Sequence, residues 1–428
     1  MRCSWKAMIL LVFTTIAIQY TAIRTLSSGP FNLYQFPSIH NYSLWGQDKV
    51  APQEPEPTGG PDDLYLFNVT RRTHIVILAA TRTGSSFFSQ LLNQHEDVFF
   101  LFEPLYHVGA RWTSPMRSVS PAASQQSNSH VIHSTRRQLL RSLYNCDLYA
   151  LENHIIPRPA NHMTHRLFRR GTSRALCHQP VCDAFGPDDF DVQEGDCVSK
   201  CGPLNMTLAT QACQDSQHVA IKTVRVRRIE EIRDLVEDPQ LNIKVIQLVR
   251  DTRGVISSRI DTFTESYNQW HVWKKTGQKP DNINLYSIKD VCNDSISSIL
   301  TGLAKPDWLK GKYMAVRYED LARNPLEKTK EIYDYLGLSM SKDVRRWIDA
   351  NTQVRPGFLT RLKYGTSRNS SANAESWRLK LGYDMVQYIQ TVCGKPLLQL
   401  GYKMVNSTRE LRNMSVSLVE DVTFEPFL

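Results

Sequence analysis

The chain has 428 residues, of which 41% are hydrophobic and 22% charged. That balance excludes a disordered protein and leaves room for one large domain or two smaller ones. Lysine and arginine outnumber aspartate and glutamate by 51 to 42, a net charge of +9, so an anionic ligand is expected: nucleic acid, an acidic membrane, a sulfated glycan and a nucleotide all fit.

Arg2 and Lys6 precede an apolar run from Ala7 to Ile23, broken only by Thr14, Thr15, Gln19, Tyr20 and Thr21. The run is short for a membrane span but suits a thin bilayer, and the basic residues before it predict a cytoplasmic N-terminus. No small-residue cleavage pattern follows. The expectation is therefore an uncleaved signal anchor over residues 7–23, with a cytoplasmic tail over 1–6 and a luminal remainder. Seven N-x-S/T sequons, at Asn41, Asn68, Asn205, Asn293, Asn369, Asn406 and Asn413, agree with luminal exposure. Cys3 falls on the cytoplasmic side, which leaves eight luminal cysteines, five of them between Cys177 and Cys213. A disulfide-stapled insertion around 146–213 is the better reading of that cluster than a zinc site, because oxidation competes for the thiolates in such a compartment.

Residues 24–72, which include PQEPEPTGGPDD, show no sustained period and read as a stem. At His74 the chain changes to HIVILAA, a continuous β-branched run that predicts a strand buried on both faces. A polar turn and the helical pattern FFSQLLNQH follow, then the strand-like DVFFLFEPL. After a long polar region with helical pieces such as TRRQLLRSLYNC, the alternation resumes. HVAIKTV, LNIKVIQLVR and KYMAVR read as strands; RRIEEIRDLVED, RGVISSRIDTFTESY and the stretch after Arg317 read as helices. Alternating short apolar strands and amphipathic helices predict an α/β fold, a parallel sheet flanked by helices, over residues 73–428.

In such a sheet, ligands bind beyond the carboxyl ends of the strands. Four groups of residues fall there. Ala80, Thr81, Arg82, Thr83, Gly84, Ser85 and Ser86 form a turn entering a helix. The glycine admits close backbone approach, the helix N-terminus offers N–H groups, and the arginine and hydroxyls add donors, so the turn suits a phosphate. An ordinary turn is the alternative, since the Walker lysine is absent. The second group is Arg250, Asp251, Thr252, Arg253 and Gly254, continuing into Val255, Ile256, Ser257 and Ser258. Arg250 and Ser258 could converge on one phosphate. A capped helix, with Asp251 or Thr252 as N-cap, is the alternative; it accounts for the aspartate but not the arginines. Glu103 ends the second strand, where a carboxylate could act as general base toward a hydroxyl, or merely cap a helix or pair with a cation. Lys222 ends the third, where an ammonium could neutralise a leaving phosphate or simply be solvated.

The two loops together resemble the signatures by which sulfotransferases bind 3′-phosphoadenosine 5′-phosphosulfate (PAPS), the first matching the 5′-phosphosulfate loop and the second the 3′-phosphate site. MRCSWKAMILL, IAIQYTAIRT, LFEPLYHV and VRYEDLARNP extend the likeness to the whole chain, which resembles the galactose/N-acetylglucosamine/N-acetylgalactosamine 6-O-sulfotransferases, those acting on keratan sulfate in particular. Thr252 stands where that family usually has proline, and Thr83 where serine is commoner; neither change should abolish binding. The stem segment FNLYQFPSIHNYSLWGQ also departs from the family. The resemblance implies a P-loop-like fold, PAPS as co-substrate, no metal, and Glu103 and Lys222 as catalytic residues. It implies a keratan sulfate or sialyl-lactosamine acceptor, no nucleic acid, and a Golgi membrane protein of type II; whether it forms a homodimer is left open. Lys363-Tyr364-Gly365-Thr366 and the stretch from Arg368 through Trp377-Arg378 are expected to cover the adenosine. A luminal kinase would require the missing lysine or metal-binding carboxylates, and a non-enzymatic glycan-binding protein would leave the paired loops without a purpose.

Overall fold

A computed structural model describes residues 72–108, 123–189, 192–352 and 370–428. The expected tail, anchor and most of the stem lie outside the described residues, as do the sequons at Asn41, Asn68 and Asn369 and the segment 363–368. Among the described residues no helix is long and apolar enough to cross a membrane.

The centre is a five-stranded sheet of β1 (Thr73–Ala79), β2 (Val98–Phe102), β5 (His218–Thr223), β6 (Ile243–Val249) and β7 (Tyr313–Arg317), in the order β2-β5-β1-β6-β7. Every neighbouring pair is parallel. A small antiparallel ribbon, β3 (Met163–Thr164) with β4 (Leu204–Asn205), stands apart from it. The strands read as unbroken apolar runs because both faces are covered. In β1, Val76 and Leu78 point into one core, while Ile75, Ile77 and Ala79 point into the other.

Helix α1 (Ser85–Asn93) lies in the second of those cores through Phe87, Phe88, Leu91 and Leu92. The first is covered by α2 (Ala123–Tyr144), through Leu139, Leu140, Leu143 and Tyr144. It also receives Cys213 of α3 (Met206–Asp215), Ile256 and Ile260 of α4 (Thr252–Thr262), and Ile288 and Ile299 of α5 (Tyr286–Leu303). After β7 come α6 (Tyr318–Arg323) and α7 (Pro325–Leu336), then α8 (Lys342–Thr352) and α9 (Tyr383–Gln399).

Three expected helices differ in detail. The stretch 227–238 is a 3₁₀ turn, Ile229–Ile232, followed by one α-turn, Arg233–Val236; its buried Ile229, Ile232 and Leu235 recur every third residue, a spacing that matches three residues per turn. The helix from residue 252 stops at Thr262 instead of running on to Tyr267. The single helix expected after β7 is two, divided at Asn324, where Pro325 takes the first turn of α7.

The cysteine cluster pairs as Cys177–Cys197 and Cys182–Cys201, and Cys146–Cys213 ties the chain just beyond α2 to α3. Cys292–Cys393 joins α5 to α9. The first three bonds close loops within residues 146–213, and the fourth closes a loop between two helices of the first core.

The contact between α5 and β7 shows how closely the first core is filled. A Cβ placed on Gly302 would stand 2.1 Å from Cζ of Tyr313. The tyrosine cannot swing away, because its hydroxyl donates to Gln247 Oε1 at 2.9 Å and Gln247 Nε2 donates to Ser298 Oγ at 2.8 Å. Gly302→Ala should therefore destabilise the fold by about 1–3 kcal/mol despite alanine's better helix propensity. Urea unfolding of the two proteins checks this, and a more stable variant would mean that the helix can slide off the sheet.

Candidate active site

Because all five strands are parallel, their carboxyl ends share one edge. Along it, in sheet order, come Glu103, Lys222, the turn 80–84, Arg250 with Asp251, and Arg317 with Tyr318 and Glu319. The chain leaves β1 toward β2 on one side and later crosses to β6 on the other, so the crevice beyond β1 is where a ligand can enter.

The first loop folds as a tight turn in which Thr83 gives both its N–H and its hydroxyl to Ala80 O, at 3.3 and 2.9 Å. Arg82 (φ 76°) and Gly84 (φ 90°) are both left-handed, a backbone that costs about 1–2 kcal/mol at the arginine and nothing at the glycine. Gly84 is the N-cap of α1, and no side chain caps the helix, so its first N–H groups suit an anion.

The second loop interlocks with the first. Arg82 Nε donates to Ser258 Oγ at 3.0 Å, Arg250 Nη1 to Arg82 O at 3.3 Å, and Arg259 Nε to Thr81 O at 3.2 Å. Two segments about 170 residues apart in sequence thus form one wall. Three buried polar atoms here have no hydrogen-bond partner among the described residues: Arg250 Nε, Ser257 Oγ and Trp377 Nε1. Arg250 and Trp377 meet at Gly254, whose added Cβ would lie 3.2 Å from Arg250 Nε and 3.1 Å from Trp377 Cδ1. Unmatched buried donors are costly unless a ligand takes them, and these are of the kind that a phosphate accepts from.

Other members of the second group are structural. Asp251 caps α4, accepting from Arg253 N, and Arg253 is fully buried with its guanidinium spent on Asp251, Gln390 Oε1 and Lys403 O. The capped helix therefore accounts for Arg253 as well as for the aspartate. Thr252, Gly254, Val255 and Ile256 are buried in the same helix. Arg378, expected over the adenosine, is likewise fully buried, and its donors go to Leu411 O, Val416 O, Glu410 O and Asn413 O.

At the other end of the edge, Glu103 is also left-handed (φ 52°), and its N–H donates to Lys222 O at 2.9 Å. Its carboxylate accepts hydrogen bonds through one oxygen only. Lys222 Nζ donates to Oε1 at 2.6 Å and Val224 N at 2.9 Å, while Oε2 has no hydrogen-bond partner among the described residues and Arg225 Nε stands 3.8 Å from it. Lys222, which was expected to face a leaving phosphate, is thus first the partner of Glu103. Its ammonium sits 4.4 Å over the Phe102 ring, which Arg169 also faces at 4.9 Å. Burial lowers the Lys222 pKa, Glu103 opposes that shift, and Arg169 and Arg225 add to it.

His107 is buried, and its Nε2 accepts from Phe168 N at 3.1 Å; burial and the charge of His154 bring its pKa down to about 4. It is a neutral acceptor already in use. Beside it the Tyr106 and Phe168 rings stack at 3.8 Å, and the Arg225 guanidinium carbon lies over the Tyr106 ring, 5.2 Å from its centre.

Sequence reasoning passed over Arg169, Arg225 and the pair Tyr318-Glu319. Only the last had a signal, as part of VRYEDLARNP, and that stretch suggested no role. Glu319 is 0% exposed; its Oε1 accepts from Asp251 N at 3.2 Å and its Oε2 from the Tyr402 hydroxyl at 2.9 Å. Burial pushes its pKa up from 4.5 to about 7, with the Arg250 charge pulling down and the Asp251 charge pushing up.

The family of the sulfotransferase domain matches residues 72–404. Carbohydrate sulfotransferase 1 of Danio rerio is 55% identical over 100% of both chains, and carbohydrate sulfotransferase 1 of Homo sapiens is 52% identical over the same full coverage. Carbohydrate sulfotransferase 3 of Mus musculus is 40% identical, over 90% of this chain and 79% of that one.

A carboxyl group raised to about 7 makes stability depend on pH. Between about pH 4.5 and 7 the folded protein keeps a proton on Glu319 that the unfolded chain has released, so this contribution is complete at low pH and lost as pH rises through 7. A shift of this size corresponds to roughly 3 kcal/mol. Glu319→Gln retains the acceptor for Asp251 N and removes the titration. Melting temperatures followed from pH 5 to 8 should fall less steeply in the variant than in the parent; parallel curves would mean that Glu319 is not the group responsible.

Proposed function

The chain belongs to the carbohydrate sulfotransferase family and is a PAPS-dependent enzyme of that class; we propose that it transfers the sulfuryl group to the 6-hydroxyl of galactose in keratan-type lactosamine chains. The observation that carries the donor site is the interlock of the two loops, Arg82 on Ser258 and Arg250 on Arg82. A bisphosphorylated nucleotide is recognised at two ends, and a wall built from two loops that hold each other suits it. Thr81, Arg82, Ser85, Ser86 and the first N–H groups of α1 would hold the 5′-phosphosulfate; Arg250, Ser257 and Ser258 would hold the 3′-phosphate. PAPS supplies an activated sulfuryl group whose bond to the nucleotide breaks as the bond to the sugar oxygen forms.

The protein's part is to place the hydroxyl and take its proton. Glu103 suits this because Lys222 and Val224 N–H anchor one carboxylate oxygen and leave the other for the acceptor. Lys222 holds that carboxylate and keeps positive charge beside the transferred group, where arginines and backbone N–H groups stabilise developing negative charge. The partly exposed Tyr106–Phe168 stack offers apolar contact to a sugar ring at this end of the edge.

The same proposal makes the chain a single-pass Golgi protein of type II, held by residues 7–23, with residues 24–72 as stem and 73–428 in the lumen. The four disulfides support an oxidising compartment. The acceptor is tested by incubating the luminal domain with labelled PAPS and defined oligosaccharides carrying terminal or internal galactose, N-acetylglucosamine or N-acetylgalactosamine. Label on C6 of either amino sugar, with galactose unlabelled, would move the acceptor assignment.

Two substitutions test the residues. Arg250→Ala and Ser258→Ala should each weaken 3′,5′-bisphosphoadenosine binding by roughly 1.5–3 kcal/mol in calorimetry while the domain stays folded; unchanged affinity in both would remove the 3′-phosphate assignment. Glu103→Gln should slow single-turnover sulfation by about 10²–10⁴-fold with bisphosphate affinity near that of the parent. Near-normal chemistry in that variant would show that another group takes the proton.

A further inference from the structure

Tyr318 carries none of the roles assigned above, yet it touches both donor loops. It is the first residue of α6, directly after the end of β7, and is 4% exposed. A Cβ added to Gly84 would lie 2.4 Å from Tyr318 Cδ2 and 2.5 Å from Cε2, so the ring is packed against the glycine of the first loop. The Arg250 guanidinium carbon, from the second loop, stands 4.6 Å from the centre of the same ring. The hydroxyl accepts from Asn373 Nδ2 at 2.9 Å, and the backbone carbonyl of that asparagine accepts from Arg250 Nη2 at 3.3 Å. Arg250 is therefore fixed by the ring itself and by the residue that the ring's hydroxyl holds.

We propose that Tyr318 is a positioning residue for donor recognition, setting the separation between the first loop and the Arg250 guanidinium so that both ends of one nucleotide are met by groups already in place. The inference rests on the reading of these loops as the PAPS site. Arginine has a long side chain, and ordering it on binding opposes affinity. A guanidinium stacked on an aromatic face is ordered in advance, and its planar shape and weak hydration suit that contact. Glycine at 84 serves the same end, because any side chain there would push the ring away from one loop or the other.

A tyrosine that only fills the core would act equally whether or not Arg250 is present; a positioning residue acts through it. The experiment is a double-mutant cycle in the full-length protein with Tyr318→Leu, Arg250→Ala and the double variant, read by calorimetry with 3′,5′-bisphosphoadenosine and by steady-state sulfation. Tyr318→Leu should weaken bisphosphate binding about tenfold in the parent and less than about threefold in the Arg250→Ala background. The donor KM should rise by a similar factor, with kcat at saturating PAPS within about threefold of the parent. Tyr318→Phe keeps the ring and should restore binding to within about threefold of the parent. Should Tyr318→Leu fail to fold, Tyr318→Met, nearer in length, takes its place in the same cycle.

Equal losses in both backgrounds, a Tyr318→Phe variant as weak as Tyr318→Leu, or unchanged affinity in Tyr318→Leu beside a clear loss in Arg250→Ala would each overturn the proposal while leaving the donor site standing. Unchanged affinity in Arg250→Ala would overturn the proposal, and unchanged affinity in Ser258→Ala as well would remove the 3′-phosphate assignment on which it rests.

Discussion

The in-register parallel pairing of β1 with its two neighbours is the constraint on which the site depends. Ile77 faces Lys222 of β5 on one side and Ile246 of β6 on the other, and Phe102 of β2 faces Lys222 in turn. Side chains alternate faces along a strand, so a slip of one residue in β5 would carry Lys222 to the opposite face and away from Glu103. Burial of both faces opposes such a slip, since the apolar strand positions are divided between two cores. The polar groups at the strand ends inherit their spacing from that match.

The arginines divide into two populations. Arg253, Arg317 and Arg378 are fully buried, and each spends its donors inside the protein. Arg317 binds Leu400 O and Glu420 O, Arg253 binds Lys403 O, and Arg378 binds four carbonyls between Glu410 and Val416. Residues 400–428 hold little regular structure, and carbonyls without a ladder need donors from elsewhere. Arginine meets that need without deprotonating, because a fork of N–H groups spreads its charge over several oxygens. At the strand edge, Arg82, Arg225 and Arg250 keep part of their exposure and line the crevice. A positive net charge alone would not have separated these roles.

Two buried carboxyl groups at the same edge stand in different surroundings. Glu103 meets an ammonium and a backbone N–H through one oxygen and leaves the other unbonded among the described residues. Glu319 uses both oxygens, on an N–H and a hydroxyl, with no cation in direct hydrogen-bond contact among the described residues. The first arrangement orients a carboxylate toward a reaction partner, and the second fixes the backbone of the loop that carries Arg250. Residue type and position at a strand end are alike in the two cases; the neighbours decide what each can do.

The sequence by itself determined the layers of this protein. Runs such as HIVILAA and IKVIQLV are apolar at every position, which only a strand covered on both faces can bury, and the helical spacing between them leaves a parallel sheet as the consistent arrangement. It also located the strand-end loops, because glycine, hydroxyl and arginine residues cluster immediately after those runs. What it left open depends on contacts between distant segments. That Arg250 reaches the first loop while Arg253, three residues on, turns into the core follows from the phase of α4 against the sheet and from Asp251, Gln390 and Lys403 around it. That Lys222 pairs with Glu103 follows from β5 lying between β1 and β2. The cysteine pairing and the place of Tyr318 between two loops were undetermined for the same reason. Local pattern specifies which face a residue presents, but which partner waits on that face is set only when the strands are ordered.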